Sequence, residues 1–251
     1  MAESPSGKDK RLKDARLYVG AYDLSGDSRN YGSLDNGFDQ VEFTGWSENV
    51  MNFLEDGRRI LGLRGYQAHL NDAAGRAFTI LKDAPNNVPL SFVMGGGGDP
   101  AIPDPAYLMY GVQISDVGGF DGGAGIITAD FLPDAAQYDA YMEGAMGVLL
   151  SAATSRSATY TGGSHDNEAS SVNGWQANLH VLVSSGGTWA ITIEHSTNDS
   201  DWATLTTFSA DGSTVVAERK SGADTVNRYT RAVLTRTSGT LTAVITFGRV
   251  P

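Results

Sequence analysis

Trp175-Gln176-Ala177-Asn178-Leu179-His180-Val181-Leu182-Val183 sets the reading of the whole chain. Its apolar side chains alternate with polar ones through Val181, the period of two that places successive side chains on opposite faces of a strand. Further short strands are expected at Thr188 to Ser196, Ala203 to Phe208, Thr214 to Glu218, Tyr229 to Arg236 and Thr240 to Gly248, with turn residues between them. Strands recurring at this spacing predict an antiparallel β-sandwich over residues 151–251.

The first part of the chain reads as β with one helix. Alternation marks strands at Leu17 to Asp23, Phe38 to Thr44, Leu61 to Leu70 and Val88 to Met94. Tyr107 to Ser115 and Gly125 to Leu132 are expected to pair antiparallel around the glycine-rich segment Gly118 to Gly123. Asp72 is placed to cap a helix from Ala73 to about Lys82, with Ala74, Ala77, Phe78 and Leu81 on one face. Pro85-Asn86-Asn87 stops that helix, and Gly95 to Pro100 forms a long turn. Ser47 to Arg59 is expected as a loop or short helix, and Asp134 to Met146 as a second helix. The polar stretch of residues 1–15 has no hydrophobic period and is expected to be a flexible arm. The fold class is therefore mainly β, as a tube-type domain over 16–150 and a sandwich over 151–251.

Charge divides unevenly between these parts. The formal net charge is -11; residues 16–150 hold 18 acids and 7 bases, and residues 151–251 hold 8 and 7. An acidic surface repels nucleic-acid phosphates, which argues against gripping DNA. Cysteine is absent, so neither a disulfide framework nor a thiolate metal site can form. No run reaches the roughly 18 apolar residues of a membrane helix, and Ala2 to Ala15 lack the apolar core of a secretion signal, so no membrane partner is expected.

Several local groupings carry the right residue types for chemistry but the wrong arrangement. Ser164-His165-Asp166 has triad components, yet a triad is assembled from separate elements around an oxyanion hole. His165, Asp166 and Glu168 lie close enough in sequence to meet one metal ion, but the segment reads as an exposed loop. Asn198-Asp199-Ser200-Asp201 is rich in oxygen ligands but lacks the glycine and distal Glu of a calcium loop, and a hairpin turn fits it better. Gly95 to Gly98 are not followed by Lys and Ser or Thr, so they are not a phosphate loop. His69, His180 and His195 fall singly in strands, where a hydrogen-bonded structural role is the ordinary one. Trp175, Trp189 and Trp202 either fill the sandwich or offer a sugar-stacking platform. No catalytic, cofactor-binding or metal-ligating residue stands out, so the expectation is a protein that is not an enzyme and takes no cofactor. A glycan-processing enzyme would need two carboxylates at a cleft, and no pair is preferred.

Taken in order, a set of phrases resembles the tail tube subunits of long-tailed bacteriophages and their prophage relatives. They are Leu17 to Gly26, Gly62-Leu63-Arg64-Gly65-Tyr66, Asp104-Pro105-Ala106-Tyr107, Ala177 to Val181, Ile191 to Ser196, Asn227-Arg228-Tyr229 and Ile245 to Arg249. Glu42-Phe43-Thr44-Gly45-Trp46 departs from the more Thr-rich stretch of the family. The resemblance implies a siphovirus virion component: a β-sandwich or barrel with a flanking helix, assembling with itself into stacked hexameric rings. Six single-domain or three double-domain subunits would complete such a ring. DNA passes through the lumen during ejection without specific binding, and other tail proteins are the further partners. It also implies a host-cytoplasmic stage before assembly, with the arm 1–15 and the segment Ser47 to Arg59 as contacts between rings. The alternative is a lectin-like or capsid-decorating protein that binds through the C-terminal sandwich.

Overall fold

The structure is a computed structural model, and it describes residues 14–42, 53–70, 72–82, 88–95, 98–121, 125–133 and 144–249. The first half contains β1 (Arg16–Val19), β2 (Tyr22–Asp23), β3 (Ser28–Asn30), β4 (Ser33–Glu42), β5 (Phe53–His69), α1 (Ala77–Lys82), β6 (Val88–Val93), β7 (Pro105–Asp121), β8 (Ile126–Pro133) and β9 (Gly144–Ser151). The second half contains β10 (Ser155–Arg156), β11 (Tyr160–Thr161), β12 (His165–Asp166), β13 (Trp175–Ser184), β14 (Trp189–Ser196), β15 (Trp202–Thr207), β16 (Val216–Gly222), β17 (Tyr229–Arg236) and β18 (Leu241–Arg249). The fold is mainly β, with antiparallel pairing between its strands.

Four β layers stack through three clusters of buried side chains. In β1, β6 and β7, Leu17, Val19, Leu90, Phe92, Tyr107 and Met109 point to one face, where they meet Leu63, Tyr66 and Ala68 of β5, Ile127, Ala129 and Phe131 of β8, and Ala77, Ile80 and Leu81 of α1. The intervening residues Tyr18, Val93, Ala106 and Leu108 point to the other face and pack on Leu149 of β9 and Val244 of β18. The period of two thus buries both faces of this layer. In the second half, Trp175, Ala177, Leu179 and Val181 of β13 and Ala243, Ile245 and Phe247 of β18 pack on Trp189, Ile191 and Ile193 of β14 and Ala232 and Leu234 of β17. This last pair of layers is the antiparallel sandwich that the alternation at Trp175 to Val181 predicts.

Hydrogen bonding is continuous through residue 150. One sheet runs β16-β13-β18-β9-β7-β6-β1-β2, and β9 pairs with β7 on one side and β18 on the other. A second sheet runs β11-β17-β14-β15, with β12 also on β17. At the crossing of β9 and β18 the backbones approach so closely that a Cβ on Gly147 would lie 2.0 Å from the Phe247 carbonyl oxygen. Glycine is required there by space.

Several expected elements are corrected. The helix is confined to Ala77–Lys82, because Ala73 to Arg76 form a turn in which Arg76 N–H bonds the Ala73 carbonyl at 3.2 Å. Gly144 to Met146 belong to β9 rather than to a helix, since Met109 to Tyr107 of β7 pair with that backbone; Asp134 to Glu143 lie outside the described residues. Phe53 to Arg59 form part of β5 rather than a loop or helix, and Ser47 to Asn52 lie outside the described residues, as do residues 1–13 of the expected arm. Ala15, its last residue, is fully buried and accepts a bond from Tyr31 Oη at 2.9 Å.

Candidate functional site

A groove of about 590 Å³ lies where the two sheets of the sandwich meet at one end. Met146, Val148 and Phe247 provide its apolar lining, and His165, Asn167, Ser171, Asn173 and Arg249 its polar side. Much of that polarity is already committed. Arg249 donates from Nη1 to the Ala169 carbonyl at 2.6 Å and from Nη2 to the Asn167 carbonyl at 3.0 Å. Asn167 Nδ2 donates to the Arg228 carbonyl at 2.9 Å and to Thr230 Oγ1 at 3.1 Å. Burial, and then the Arg249 charge, push the His165 imidazole below its ordinary range. Among the described residues, no Asp or Glu lines the groove, so these offer no carboxylate pair for acid–base chemistry.

The structure separates the Ser164-His165-Asp166 residues from any triad geometry. His165 and Asp166 form strand β12, paired with Thr230 and Tyr229, rather than an exposed loop. Asp166 accepts from Arg228 Nε at 2.7 Å and Nη2 at 2.6 Å, and its carboxyl is lowered to about 2, first by those bonds. Among the described residues, no three His, Asp or Glu side chains converge on a possible metal position.

Asn198 to Asp201 form the hairpin turn between β14 and β15. Asn198 Oδ1 accepts from the backbone N–H of Ser200 at 3.1 Å and of Asp201 at 2.9 Å, and Asp199 takes φ 61°. The side-chain oxygens thus order the turn itself. Gly95 precedes Gly96 and Gly97, which lie outside the described residues, and Asp99 pairs with Arg16.

Two of the three tryptophans in residues 151–251 are core residues: Trp175 and Trp189 are buried between the sandwich sheets. Trp202 is half-buried on the outer sheet, where the Arg231 guanidinium sits 4.0 Å from its ring centre. Arg231 Nε also donates to Glu194 Oε2 at 2.8 Å. The Trp202 ring is therefore already covered by a cation, as is the Tyr229 ring, 5.0 Å from the Arg228 guanidinium.

Of the histidines, His69 is exposed, and His195 Nδ1 accepts from the Asn227 N–H at 3.2 Å. His180 is fully buried between the halves. Its Nδ1 lies 2.6 Å from the Gly20 carbonyl and its Nε2 2.8 Å from Ser91 Oγ. Ser91 Oγ is also 2.7 Å from Thr246 Oγ1, and Asn178 Nδ2 donates to the Leu90 carbonyl at 2.9 Å and the Met109 carbonyl at 3.2 Å. The alternation shows that Asn178 and His180 share a face; only the curling of β13 over β6 shows what that face meets.

A different feature lies in the pairing of β4 with β5. Among the described residues, residues 53–62 of β5 pair with β4 alone, from Glu42↔Phe53 to Asp35↔Gly62, before β8 joins at Leu63. Ten strand residues span about 33 Å. Two strands without a third are marginal in water, so this ribbon is the element most in need of a partner surface.

No known protein family matches the sequence, and no curated protein matches it. Among solved structures the chain is similar to the SPP1 Dit protein, described as a paradigm of the hub adsorption apparatus in phages infecting Gram-positive bacteria. The similarity covers 93% of this chain and 98% of that one, at 9% identity and a TM-score of 0.24. Similarity at that level assigns neither a shared fold nor a function.

Proposed function

We propose that this chain is a structural subunit of a bacteriophage tail and, within the tail, the tube subunit. Copies close into hexameric rings, and rings stack into the conduit through which DNA is ejected. The observation that carries the reading is the β4–β5 ribbon, whose outer ten β5 residues have only β4 as a pairing partner among the described residues. Laid on a neighbouring copy, the ribbon gains the third surface it lacks. Heterologous contacts of this kind close rings, and their axial repetition extends the tube. The ordered phrases from Leu17 to Arg249 that resemble tail tube subunits support the same reading.

The charge partition gives the assembly a direction. The half with 18 acids and 7 bases faces the bore, where carboxylates keep passing DNA from adhering, and the nearly neutral sandwich lies outside. A second reading, a glycan- or capsid-binding module, is favoured by the groove beside His165 and by the half-exposed Trp202.

Electron microscopy of the purified protein, with and without the ribbon, tests the proposal. The parent protein is expected to form rings or tubes of uniform bore. A variant in which an Asn-Gly turn replaces residues 38–59, joining Gly37 to Ile60, is expected to stay folded by circular dichroism but to form no tubes. A parent that stays monomeric at high concentration, or a ribbon-deleted variant that still forms tubes, overturns the tube assignment. Saturable glycan or capsid binding by a monomer supports the second reading instead.

A further inference from the structure

We propose that His180 is an acid-release latch: neutral, it ties the sandwich to the first half of the chain, and protonated, it loosens the packing of β13 on β1 and β6. The geometry assigns its tautomer. The Gly20 carbonyl can only accept, so Nδ1 carries the hydrogen and donates across 2.6 Å. Nε2 is then the acceptor and receives the Ser91 hydroxyl across 2.8 Å. Having given its hydrogen to His180, Ser91 Oγ accepts from Thr246 Oγ1 at 2.7 Å and from Asn178 Nδ2 at 3.3 Å. All four bonds join residues 178–246 to residues 20–91, so the network spans the contact between the halves.

A proton on Nε2 reverses that logic. Nε2 becomes a donor, so Ser91 must turn its hydrogen away, and Thr246 loses Ser91 as an acceptor. A full charge then sits in a fully buried position.

Among the described residues, no nearby carboxylate is free to compensate it. On β1 and β2 the facing groups are Tyr18, whose ring centre is 5.7 Å away, with Arg16 and Asp23 beyond it; Asp23 Oδ1 is bonded to the Ser25 N–H. On β16 they are Glu218, Arg219 and Lys220. Glu218 is held by the Ser209 and Ala210 amides and by Lys220, and Arg219 Nη2 donates to Gln176 Oε1 at 3.2 Å. On β18 the charged residue is Arg249, bonded to the Ala169 and Asn167 carbonyls. β6 contains no ionisable side chain, and in the Pro105 to Met109 part of β7 the one such group is Tyr107, which packs on the opposite face.

Burial lowers the His180 pKa to about 4, against a smaller raising effect of the Gly20 carbonyl. The folded value lies below the ordinary 6.5, so the neutral form is the one that folding favours. Stability is therefore present in full above about pH 6.5, is lost as pH falls toward 4, and changes no further below it. A gap of that size corresponds to roughly a 300-fold fall in the folding equilibrium constant.

The test compares the full chain with His180→Gln, which stays uncharged at every pH. Urea unfolding from pH 7 to 3.5 is expected to show a loss on the order of 100-fold greater in the parent than in the variant. Nitrogen NMR of the parent adds a readout that does not depend on the variant folding. His180 is expected to hold the Nδ1–H tautomer down to about pH 4, with faster amide exchange in Leu90 to Phe92 as it titrates. Parallel pH profiles in parent and variant, or His180 titration near 6.5 with unchanged exchange in β6, overturn the proposal.

Discussion

Asp27 Oδ2 accepts a hydrogen bond from the backbone N–H of Ala77, 3.0 Å away, so a carboxylate 50 residues upstream anchors the first residue of α1. Arg76 Nη1, at 3.5 Å from Asp27 Oδ1, braces the same carboxylate. Asp72, the capping residue suggested by local sequence, instead offers its backbone carbonyl to Thr79 Oγ1 at 3.0 Å. A first-turn N–H needs an acceptor from somewhere, and tertiary packing delivers a better one than the neighbouring residue does. Asp27→Ala is expected to destabilise the protein by about 2 kcal/mol. Urea unfolding measures it, and a loss under about 0.5 kcal/mol would show that the anchor is dispensable.

The contact between the halves should behave as one unit. Asn178→Ala removes a donor from the Leu90 and Met109 carbonyls, and Ser91→Ala removes the hydroxyl shared by His180, Thr246 and Asn178. Each substitution is expected to cost about 2 kcal/mol. Because they share partners, the double variant should depart from the sum by about 1 kcal/mol. Strict additivity in a double-mutant cycle would disprove the shared network.

The tryptophans should divide by location. Trp189→Ala empties a position buried between the sandwich sheets and is expected to cost about 4 kcal/mol. Trp202→Ala gives up a half-exposed ring and its Arg231 contact, for about 1 kcal/mol. Thermal unfolding of the two variants checks the ranking, and equal losses would contradict the assigned burial.

Asp166 should titrate far into acid. Its carboxyl is lowered to about 2, chiefly by the two Arg228 bonds. A carboxyl below its ordinary value stabilises the fold above that ordinary value and ceases to do so as pH falls through about 2. Carbon NMR of Asp166 should find its midpoint near there, and Arg228→Gln should return it toward the ordinary range. A midpoint that does not move in the variant would assign the shift to another cause.

The Gly147 contact predicts a packing limit at the joint between the halves. Gly147→Ala places a Cβ against the Phe247 carbonyl and should destabilise the protein by about 2 kcal/mol or more, measured by urea unfolding. Parent-like stability in this variant would mean that β9 and β18 can separate without cost.

The sequence by itself determined the fold class and most strand positions, because a period of two is a local property of the covalent chain. It also identified Asn198 to Asp201 as a turn, whose bonds run between near neighbours. Only the tertiary structure decided what depends on residues far apart in the chain. It turned Gly144 to Met146 from an expected helix into a strand, since Tyr107 to Met109 of β7 pair with it. It sent Trp175 and Trp189 inward while leaving Trp202 at the surface, and it chose Asp27 over Asp72 as the anchor of α1. It also brought His180 to Gly20 across 160 residues, a meeting set by the curl of one sheet over another, for which no local pattern of residues can encode a signal.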